Sequence, residues 1–183
     1  MKAINKLLFE DFDNAHYLKS NEAAKKDFKI ITQFPNALGF DEESGGFVIL
    51  HRQHAASGLE KELTACMRLR TEGYAVELLN ENLGENIFAP DACISGEVYE
   101  IKNVANATNL GRAIDKQFRF AYKKASKILL HIEQEATDSD IADALRRAAI
   151  NRPTIKNIIL LRGNEKSVLL TRIEMVSKSW FKM

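Results

Sequence analysis

The segment LEKELTACMRLRTEGYAVELL, residues 59–79, changes from helical to strand periodicity at one glycine. Before that glycine, apolar residues recur at the spacing of one helical face, at Leu59, Leu63, Cys66 and Leu69. After Gly73, the run YAVELL has the length of a strand and is mostly apolar, with tyrosine and valine, which favour strands. The segment therefore predicts a helix that ends with Gly73 in the C′ position and leads directly into a strand.

Further elements are predicted on both sides of this segment. GGFVILH, residues 45–51, predicts a strand before it, and DACIS and EVYEIKN predict two strands after it, joined as a hairpin by the Ser95-Gly96 turn. Residues 108–126 predict a long helix, and the apolar run KILLHI predicts a buried strand. A helix in SDIADALRRAAI and strands in IKNIILLR and SVLLTR complete the chain. This order predicts an α/β fold with a mixed central sheet flanked by helices.

The 183 residues divide by pattern into two parts. Residues 1–45 have only weak helical patterning and end among turn-forming residues, so we expect a helical appendage there and a single domain over residues 46–183. The composition is that of a globular protein, with 45% hydrophobic and 28% charged residues. The net charge of +1 excludes a uniformly basic protein that coats nucleic acid, but it leaves open how charges are distributed along the chain.

Cysteine content and hydropathy indicate the compartment. Cys66 and Cys93 lie in apolar patterns without a CxxC motif, which argues against a disulfide scaffold or a structural zinc site. The N-terminal apolar patch is too short for a signal peptide, and no uncharged run approaches the roughly 20 residues of a membrane span. We therefore expect a soluble, cytoplasmic protein that does not act at a membrane.

The two predicted hairpin strands carry a group of charged residues. Strand alternation places Glu100 and Lys102 on one face and Ile101 on the other, and the hairpin brings Asp91 back alongside Glu100. Two adjacent carboxylates repel each other unless a cation lies between them, and hard oxygen ligands favour Mg²⁺ or Mn²⁺ over zinc. The pattern thus predicts a divalent metal ion, with Lys102 placed to orient or deprotonate a metal-bound water.

The Asp91…Glu100-Xaa-Lys102 arrangement resembles the active-site motif of the PD-(D/E)XK nuclease superfamily. In that superfamily the helix before the first strand often carries a glutamate three residues before an alanine, seven before an apolar residue and eleven before a glycine, a register shared here by Glu62, Ala65, Leu69 and Gly73. Glu62, rather than Glu60 two residues earlier, is therefore the fourth expected active-site residue.

This resemblance implies a restriction-endonuclease-like core with the element order αβββαβ and a metal-dependent hydrolysis of phosphodiester bonds. The implied catalytic residues are Glu62, Asp91, Glu100 and Lys102. The implied ligands of Mg²⁺ or Mn²⁺ are Asp91, Glu100 and the carbonyl oxygen of Ile101.

Residues 47–172 also resemble, more specifically, the C-terminal tRNase toxin domain of contact-dependent growth inhibition proteins, which occurs in phage and other mobile-element proteins as well. This resemblance favours RNA, and tRNA in particular, over DNA as the substrate. It also implies a cognate immunity protein as a partner. The sequence does not decide between a monomer and a homodimer. Many relatives carry a Gln-Ala pair before the strand that KILLHI forms, where this chain has Lys124-Ala125.

A row of basic residues is predicted along the helix at residues 108–126. They recur at steps of three or four and so share one helical face, beside an apolar stripe, and comprise Arg112, Lys116, Arg119, Lys123 and Lys127. Such a row suits a phosphate backbone, which dominates affinity for nucleic acid. Phe120 and Tyr122 lie among these residues and are candidates to stack on an unpaired base, although we expect at least one of them to be buried.

Two other functions are compatible with the sequence. His51 and His54 flank the loop before the first helix, and histidines can cleave RNA without metal through the ribose 2′-hydroxyl. In that mechanism Lys102 or Thr171 would hold the phosphate. The second alternative is a catalytically inactive nucleic-acid-binding or assembly module of a mobile element. The carboxylate pattern favours the metal-dependent nuclease, because the histidine mechanism gives the carboxylates no role.

Overall fold

The computed structural model of the protein describes residues 28–30, 39–51, 53–55, 57–81 and 89–182. The chain forms two compact units, Met1–Val98 and Tyr99–Met183, and the boundary between them falls inside a single strand. Among the described residues, no helix has both the length and the apolar character that crossing a bilayer requires.

The first unit combines a mixed sheet with one helix. Its elements, in chain order, are β1 (Phe28–Ile30), β2 (Phe47–His51), α1 (Leu59–Thr71), β3 (Ala75–Leu78) and β4 (Ala92–Ile94). β1 pairs antiparallel with β2, β2 pairs parallel with β3, and β3 pairs antiparallel with β4. Helix α1 connects the two parallel strands, so the predicted order of strand, helix and strand is confirmed.

Strand β1 lies within residues 1–45, where weak patterning predicted a helical appendage. Of that part of the chain, the structure describes residues 28–30 and 39–45, and the first of these segments is a strand paired with β2. Three residues are too few to show either periodicity, so the pairing partner decides the conformation. The helical pattern near the N-terminus lies outside the described residues, and the boundary at residue 45 stays a prediction.

Helix α1 ends in the way that its glycine predicts. Gly73 has a φ of 88°, in the left-handed region that residues with a β-carbon avoid. Its N–H donates to the carbonyl oxygen of Arg70 at 3.0 Å, and the N–H of Tyr74 donates to that of Leu69 at 3.1 Å. These two bonds form a Schellman motif, which satisfies the last carbonyl groups of the helix and directs the chain into β3.

The turn predicted at Ser95-Gly96 is present between β4 and β5 (Glu97–Val104). Ser95 and Gly96 have φ angles of 48° and 86°. Positive φ at both central residues is the signature of a type I′ turn, which matches the twist of antiparallel strands. The sequence therefore identified the turn that connects β4 to β5.

The second unit contains the rest of β5 and the elements that follow it. These are α2 (Leu110–Ala121), β6 (Lys127–Ile132), α3 (Asp138–Asn151), β7 (Asn157–Arg162), β8 (Val168–Thr171) and α4 (Arg172–Ser177). β5 and β6 are parallel, β6 and β7 are parallel, and β8 is antiparallel to β7. Each unit is thus a mixed sheet with helical cover, as the predicted α/β class requires.

The core of the second unit lies between its sheet and its helices. Ile128 and Leu130 of β6 belong to one apolar cluster with residues of α2 and α3, and Phe118 of α2 is completely buried there. The strand register aligns Glu100 of β5 with Ile128, and Lys102 with Leu130. Aligned residues of neighbouring strands point to the same face, so Glu100 and Lys102 share the sheet face that the helices cover.

Helix α2 is shorter than its pattern predicts. The prediction extended to residue 126, but α2 ends at Ala121, and residues 122–124 form a turn before β6 begins at Lys127. The predicted helical row of five basic residues is therefore wrong at its end, because Lys123 lies in the turn and Lys127 in a strand. No glycine or proline marks this stop; Lys127 pairs with Asn157 of β7 and is therefore extended.

Candidate active site

A histidine and two glutamates meet at the N-terminal end of helix α1. The Nε2 atom of His54 lies 2.7 Å from Oε2 of Glu62 and 3.3 Å from Oε1 of Glu81. The His54 side chain is fully buried, whereas those of Glu62 and Glu81 are 15% and 21% exposed. Glu62 is in the first turn of α1, and the loop after β2 supplies His54. One buried imidazole edge therefore faces two carboxylates.

The other nitrogen of His54 is held by the backbone. Nδ1 lies 2.7 Å from the carbonyl oxygen of Leu79, which can only accept, so Nδ1 carries a proton. Burial lowers the pKa of His54, but hydrogen bonds to Glu62 and Leu79 and the charges of Glu62 and Glu81 outweigh it, and the net effect raises this pKa. The histidine is thus poised to carry a cation, as a second proton or as a bound metal ion, on the side that faces the carboxylates.

The predicted catalytic residue Glu62 lies in this cluster. Glu60, the alternative two residues earlier, is exposed, whereas Glu62 is half-buried. Sequence reasoning assigned His54 and Glu62 to competing mechanisms, whereas the structure brings them into one hydrogen bond. Glu81 was missed, because a single acid in a loop after a strand carries no distinguishing sequence signal.

Asp91, the first acid of the predicted motif, is buried with 2% exposure just before β4. Its backbone carbonyl accepts a hydrogen bond of 2.9 Å from the N–H of Leu79. Burial raises the pKa of the Cys66 thiol well above its ordinary value, and the charges of Glu62 and Asp91 raise it further. Both carboxylates therefore act electrostatically on the Cys66 thiol of helix α1.

A second buried acid, Glu77, was missed by sequence reasoning. It lies in β3 with 1% exposure, and within the described chain its Oε2 atom has no hydrogen-bond partner. Burial raises its pKa from 4.5 to about 7. The signal was visible in YAVELL, since this glutamate is the one charged residue in an otherwise apolar strand, but the strand was interpreted only as core.

We expect Glu77→Gln to stabilise the fold above pH 7. Because the folded pKa of Glu77 is raised to about 7, the native state loses stability as pH rises from about 4.5 to 7. This shift corresponds to about 3 kcal/mol. Urea unfolding at pH 4.5 and pH 8 should show that the variant loses this part of the pH dependence. Glu60→Gln, at an exposed position, is the matched control. An equal change in the free energy of unfolding between pH 4.5 and pH 8 in wild type and Glu77→Gln would contradict the prediction.

The predicted pair Glu100 and Lys102 is formed in the second unit. Lys102 Nζ donates to Oε1 of Glu100 at 2.7 Å and to the carbonyl oxygen of Ile101 at 2.8 Å. Glu100 is 1% exposed and the Lys102 side chain 18% exposed, so the pair is largely shielded from solvent. Two of the three predicted metal ligands, Glu100 and the Ile101 carbonyl, therefore share a single cation, the lysine ammonium group.

A second lysine, Lys124, also reaches Glu100. Its Nζ lies 3.0 Å from the same Oε1 atom, and it comes from the turn after α2. The only hint in the sequence was the Lys124-Ala125 pair where relatives have Gln-Ala. Gln117, further along α2, instead donates through its side chain to the carbonyl oxygen of Asn103 at 3.2 Å. Two ammonium groups thus compensate the charge of one buried carboxylate.

Helix α2 exposes a basic surface, which we define by Arg112, Lys116 and Arg119. The nearest acid, Asp115, forms a bidentate ion pair with Arg152, with distances of 2.6 and 3.2 Å, so its charge is compensated. Arg119 lies over the ring of Phe120 at 5.6 Å.

The two aromatic residues near this surface are both accessible. Phe120 is 51% exposed and Tyr122 is 41% exposed. The expectation that at least one would be buried is therefore wrong: on α2 the buried positions belong to Ile114, Phe118 and Ala121, and Tyr122 follows the end of the helix. Exposed aromatic rings beside arginine and lysine provide the chemistry for stacking on bases.

The residues of the metal-free alternative are otherwise engaged. Both ring nitrogens of His54 contact protein groups, and Nδ1 of His51 accepts a hydrogen bond of 3.1 Å from the N–H of Gln53. Thr171 is the N-cap of α4, where it forms a capping box with Glu174. These contacts give Thr171 a structural role and give both histidines partners within the protein.

Comparison with known proteins points to one family for part of the chain. Residues 89–166 match the family model of the contact-dependent growth inhibition CdiA C-terminal domain. The matched segment contains Asp91, Glu100, Lys102 and Lys124, whereas Glu62 and its cluster precede it. The predicted resemblance to this toxin-domain family is thereby supported over that segment, and membership of the PD-(D/E)XK superfamily stays a prediction.

One solved structure similar to the chain is a CdiA-CT/CdiI toxin and immunity complex from Burkholderia pseudomallei. The sequences are 20% identical, the alignment covers 76% of this chain and 94% of that chain, and the TM-score is 0.46. No curated protein sequence matches the chain.

Proposed function

We propose that this chain is a metal-dependent endonuclease that hydrolyses phosphodiester bonds, with RNA, and tRNA in particular, as its substrate. The observation that carries the proposal is the buried Glu100 carboxylate with Lys102 Nζ 2.7 Å from its Oε1 atom. A charged pair on adjacent same-face positions of a strand is the central element of the predicted motif. The similarity of residues 89–166 to the CdiA C-terminal domain supports a role in growth inhibition.

Lys102 has the central role in the proposed reaction. It would orient the attacking water or neutralise the charge that develops on the phosphate. Its ammonium group is held by Glu100 and the Ile101 carbonyl, so little reorganisation is needed when substrate binds. Lys124 adds a second positive charge at the same carboxylate. We therefore assign Lys124 a positioning role, acting through Glu100.

The oxygen atoms that the motif assigns to the metal fit a hard cation. Asp91, Glu100 and the Ile101 carbonyl offer only oxygen donors, which Mg²⁺ and Mn²⁺ prefer. When bound, such an ion would lower the pKa of its water and neutralise phosphate charge. Lys102 contacts two of these oxygens, so its ammonium group would lie beside the ion.

The exposed basic surface of α2 supports nucleic acid as the substrate class. Arg112, Lys116 and Arg119 can bind phosphates, and Phe120 and Tyr122 are accessible for stacking. Stacking needs bases that are not paired within a duplex, and tRNA presents such bases in its loops. This combination is the reason for placing folded RNA ahead of double-stranded DNA.

The test of the proposal is a substrate panel. Purified protein is incubated with total tRNA, ribosomal RNA, single-stranded DNA and double-stranded DNA, each with Mg²⁺, and the products are separated on denaturing gels. We expect cleavage of tRNA at defined positions and at least tenfold slower cleavage of double-stranded DNA. Preferential cutting of DNA would contradict the proposed substrate. Tight binding of tRNA without cleavage of any member would favour the inactive binding module.

An immunity protein is the partner that a growth-inhibition toxin requires, and we include it in the proposal. The reason is the match of residues 89–166 to the CdiA C-terminal domain. If the chain is toxic, its expression alone should arrest cell growth. Its expression should be tolerated in variants that lack Lys102.

A further inference from the structure

We propose that His54, Glu62 and Glu81 form a binding site for a divalent transition-metal ion of the Zn²⁺ type. Three potential ligand atoms, one from each residue, lie within 4.8 Å of one another. This ligand set differs from the Asp91, Glu100 and Ile101 oxygens that the motif assigns to Mg²⁺, although Glu62 also belongs to the predicted catalytic residues. The proposal does not rest on nuclease activity, because metal binding can be measured directly.

The backbone contact of His54 provides the first argument. Because Nδ1 donates to the Leu79 carbonyl, a neutral His54 directs the lone pair of Nε2 at the carboxylates of Glu62 and Glu81. A lone pair facing two negative charges is unfavourable unless a cation lies among them. Metal-binding histidines commonly have this arrangement, in which one nitrogen binds the ion and the other donates to a backbone carbonyl that fixes the ring.

The distances provide the second argument. Bonds of about 2.0 Å around a tetrahedral ion place neighbouring ligand atoms roughly 3.3 Å apart. Here Nε2 lies 2.7 Å from the Glu62 oxygen and 3.3 Å from the Glu81 oxygen. The separation between Nε2 and the Glu62 oxygen would therefore have to widen by only about half an ångström, whereas that between Nε2 and the Glu81 oxygen already matches.

The donor types select the metal. An imidazole nitrogen combined with two carboxylate oxygens suits Zn²⁺ and its neighbours in the first transition row, whereas Mg²⁺ favours a shell of oxygens that includes several waters. Three protein ligands leave a fourth position for water or for a substrate oxygen, which is the pattern of open rather than structural zinc sites. The imidazole would hold the ion from the buried side, and the partly exposed glutamates would leave it accessible from solvent.

The site can be tested by metal binding to the full-length protein. Co²⁺ serves as the spectroscopic probe, because it replaces Zn²⁺ and gains visible absorption in a tetrahedral site, and calorimetry with Zn²⁺ gives the stoichiometry. With excess Mg²⁺ present to fill the motif, we expect one Co²⁺ or Zn²⁺ ion per chain in the wild type, and binding weaker by about tenfold or more in Glu81→Gln and in His54→Gln. Excess Mg²⁺ should not displace the ion.

Two further variants make the result specific. Asp91→Asn removes a ligand of the motif but none of this site, so it should bind Co²⁺ like the wild type. Glu60→Gln, two residues from Glu62 on the exposed side of α1, is the matched control and should also be unaffected. Binding lost in Asp91→Asn but kept in Glu81→Gln would assign the ion to the motif and overturn the proposal. So would wild-type protein that binds no stoichiometric metal, since the cation at His54 would then be a proton.

Discussion

Chelation by EDTA is expected to stop cleavage of nucleic acid by this chain, and Mg²⁺ added in excess of the chelator is expected to restore it. A divalent ion contributes several kcal/mol of transition-state stabilisation in phosphodiester hydrolysis. A contribution of about 4 kcal/mol corresponds to a loss of about 1,000-fold in rate. The measurement is the initial rate of tRNA cleavage at increasing free Mg²⁺, with EGTA as a control that removes Ca²⁺ but little Mg²⁺.

Cleavage that persists in EDTA would overturn the metal-dependent mechanism and favour general acid–base catalysis by His51 and His54. The two mechanisms also leave different products. Metal-dependent hydrolysis does not need the ribose 2′-hydroxyl, whereas the histidine mechanism attacks through it and passes through a cyclic phosphate. A tRNA carrying a 2′-deoxynucleotide at the cleaved position should therefore remain a substrate if the proposal is correct.

Restoration by Mg²⁺ also separates the two proposed metals. The motif oxygens of Asp91 and Glu100 suit Mg²⁺, whereas the His54 cluster suits Zn²⁺. If Mg²⁺ alone restores full cleavage, the ion at His54 is not required for the chemistry. If cleavage also needs trace Zn²⁺, and added Zn²⁺ no longer increases cleavage by Glu81→Gln, the ion at His54 contributes to the reaction.

The order of elements could be predicted because it depends on local signals. Gly73 ends α1 through its own backbone freedom, and the Ser95-Gly96 turn has positive φ at both residues. The buried strand KILLHI is a short apolar run that cannot face solvent on either side. Each of these features is decided within a few residues, so the sequence contains the information directly.

The end of α2 and strand β1 could not be predicted, because both depend on pairing with distant residues. Residues up to Ala125 continue the helical pattern, yet Lys127 pairs with Asn157 in β7 and so must be extended. Phe28–Ile30 become a strand only because β2 is available as a partner. Local propensity is weak evidence where tertiary contacts decide the conformation.

The contact between Glu100 and Lys102 could be predicted from the sequence, whereas the contacts of Lys124 and Glu81 could not. Glu100 and Lys102 lie two residues apart on one strand, so their contact follows from the period of a strand. Lys124 and Glu81 reach their partners from segments that have no regular period, and Glu77 differs from its neighbours only in being charged. Loops carry functional residues whose positions depend on the surrounding fold rather than on spacing.

Lys102→Ala is expected to lower the rate of cleavage by about 100-fold or more, the usual contribution of a group that moves a proton in catalysis. Lys102 contacts both Glu100 and the Ile101 carbonyl, so its removal eliminates the group that the proposed reaction uses at the phosphate. The measurement is single-turnover cleavage of tRNA, with circular dichroism to confirm folding. Lys166→Ala, on an exposed loop, is the matched control and should cleave at the wild-type rate.

Comparison with Lys124→Ala identifies which of the two lysines takes part in the reaction. Lys124 reaches the same Glu100 oxygen as Lys102, but from the turn after α2. Each single variant leaves one ammonium group on the buried carboxylate, so both should fold, whereas the double variant should lose stability because Glu100 then loses both lysines. If Lys124→Ala loses cleavage and Lys102→Ala does not, Lys102 has a structural role, and the catalytic lysine is Lys124 in the turn after α2.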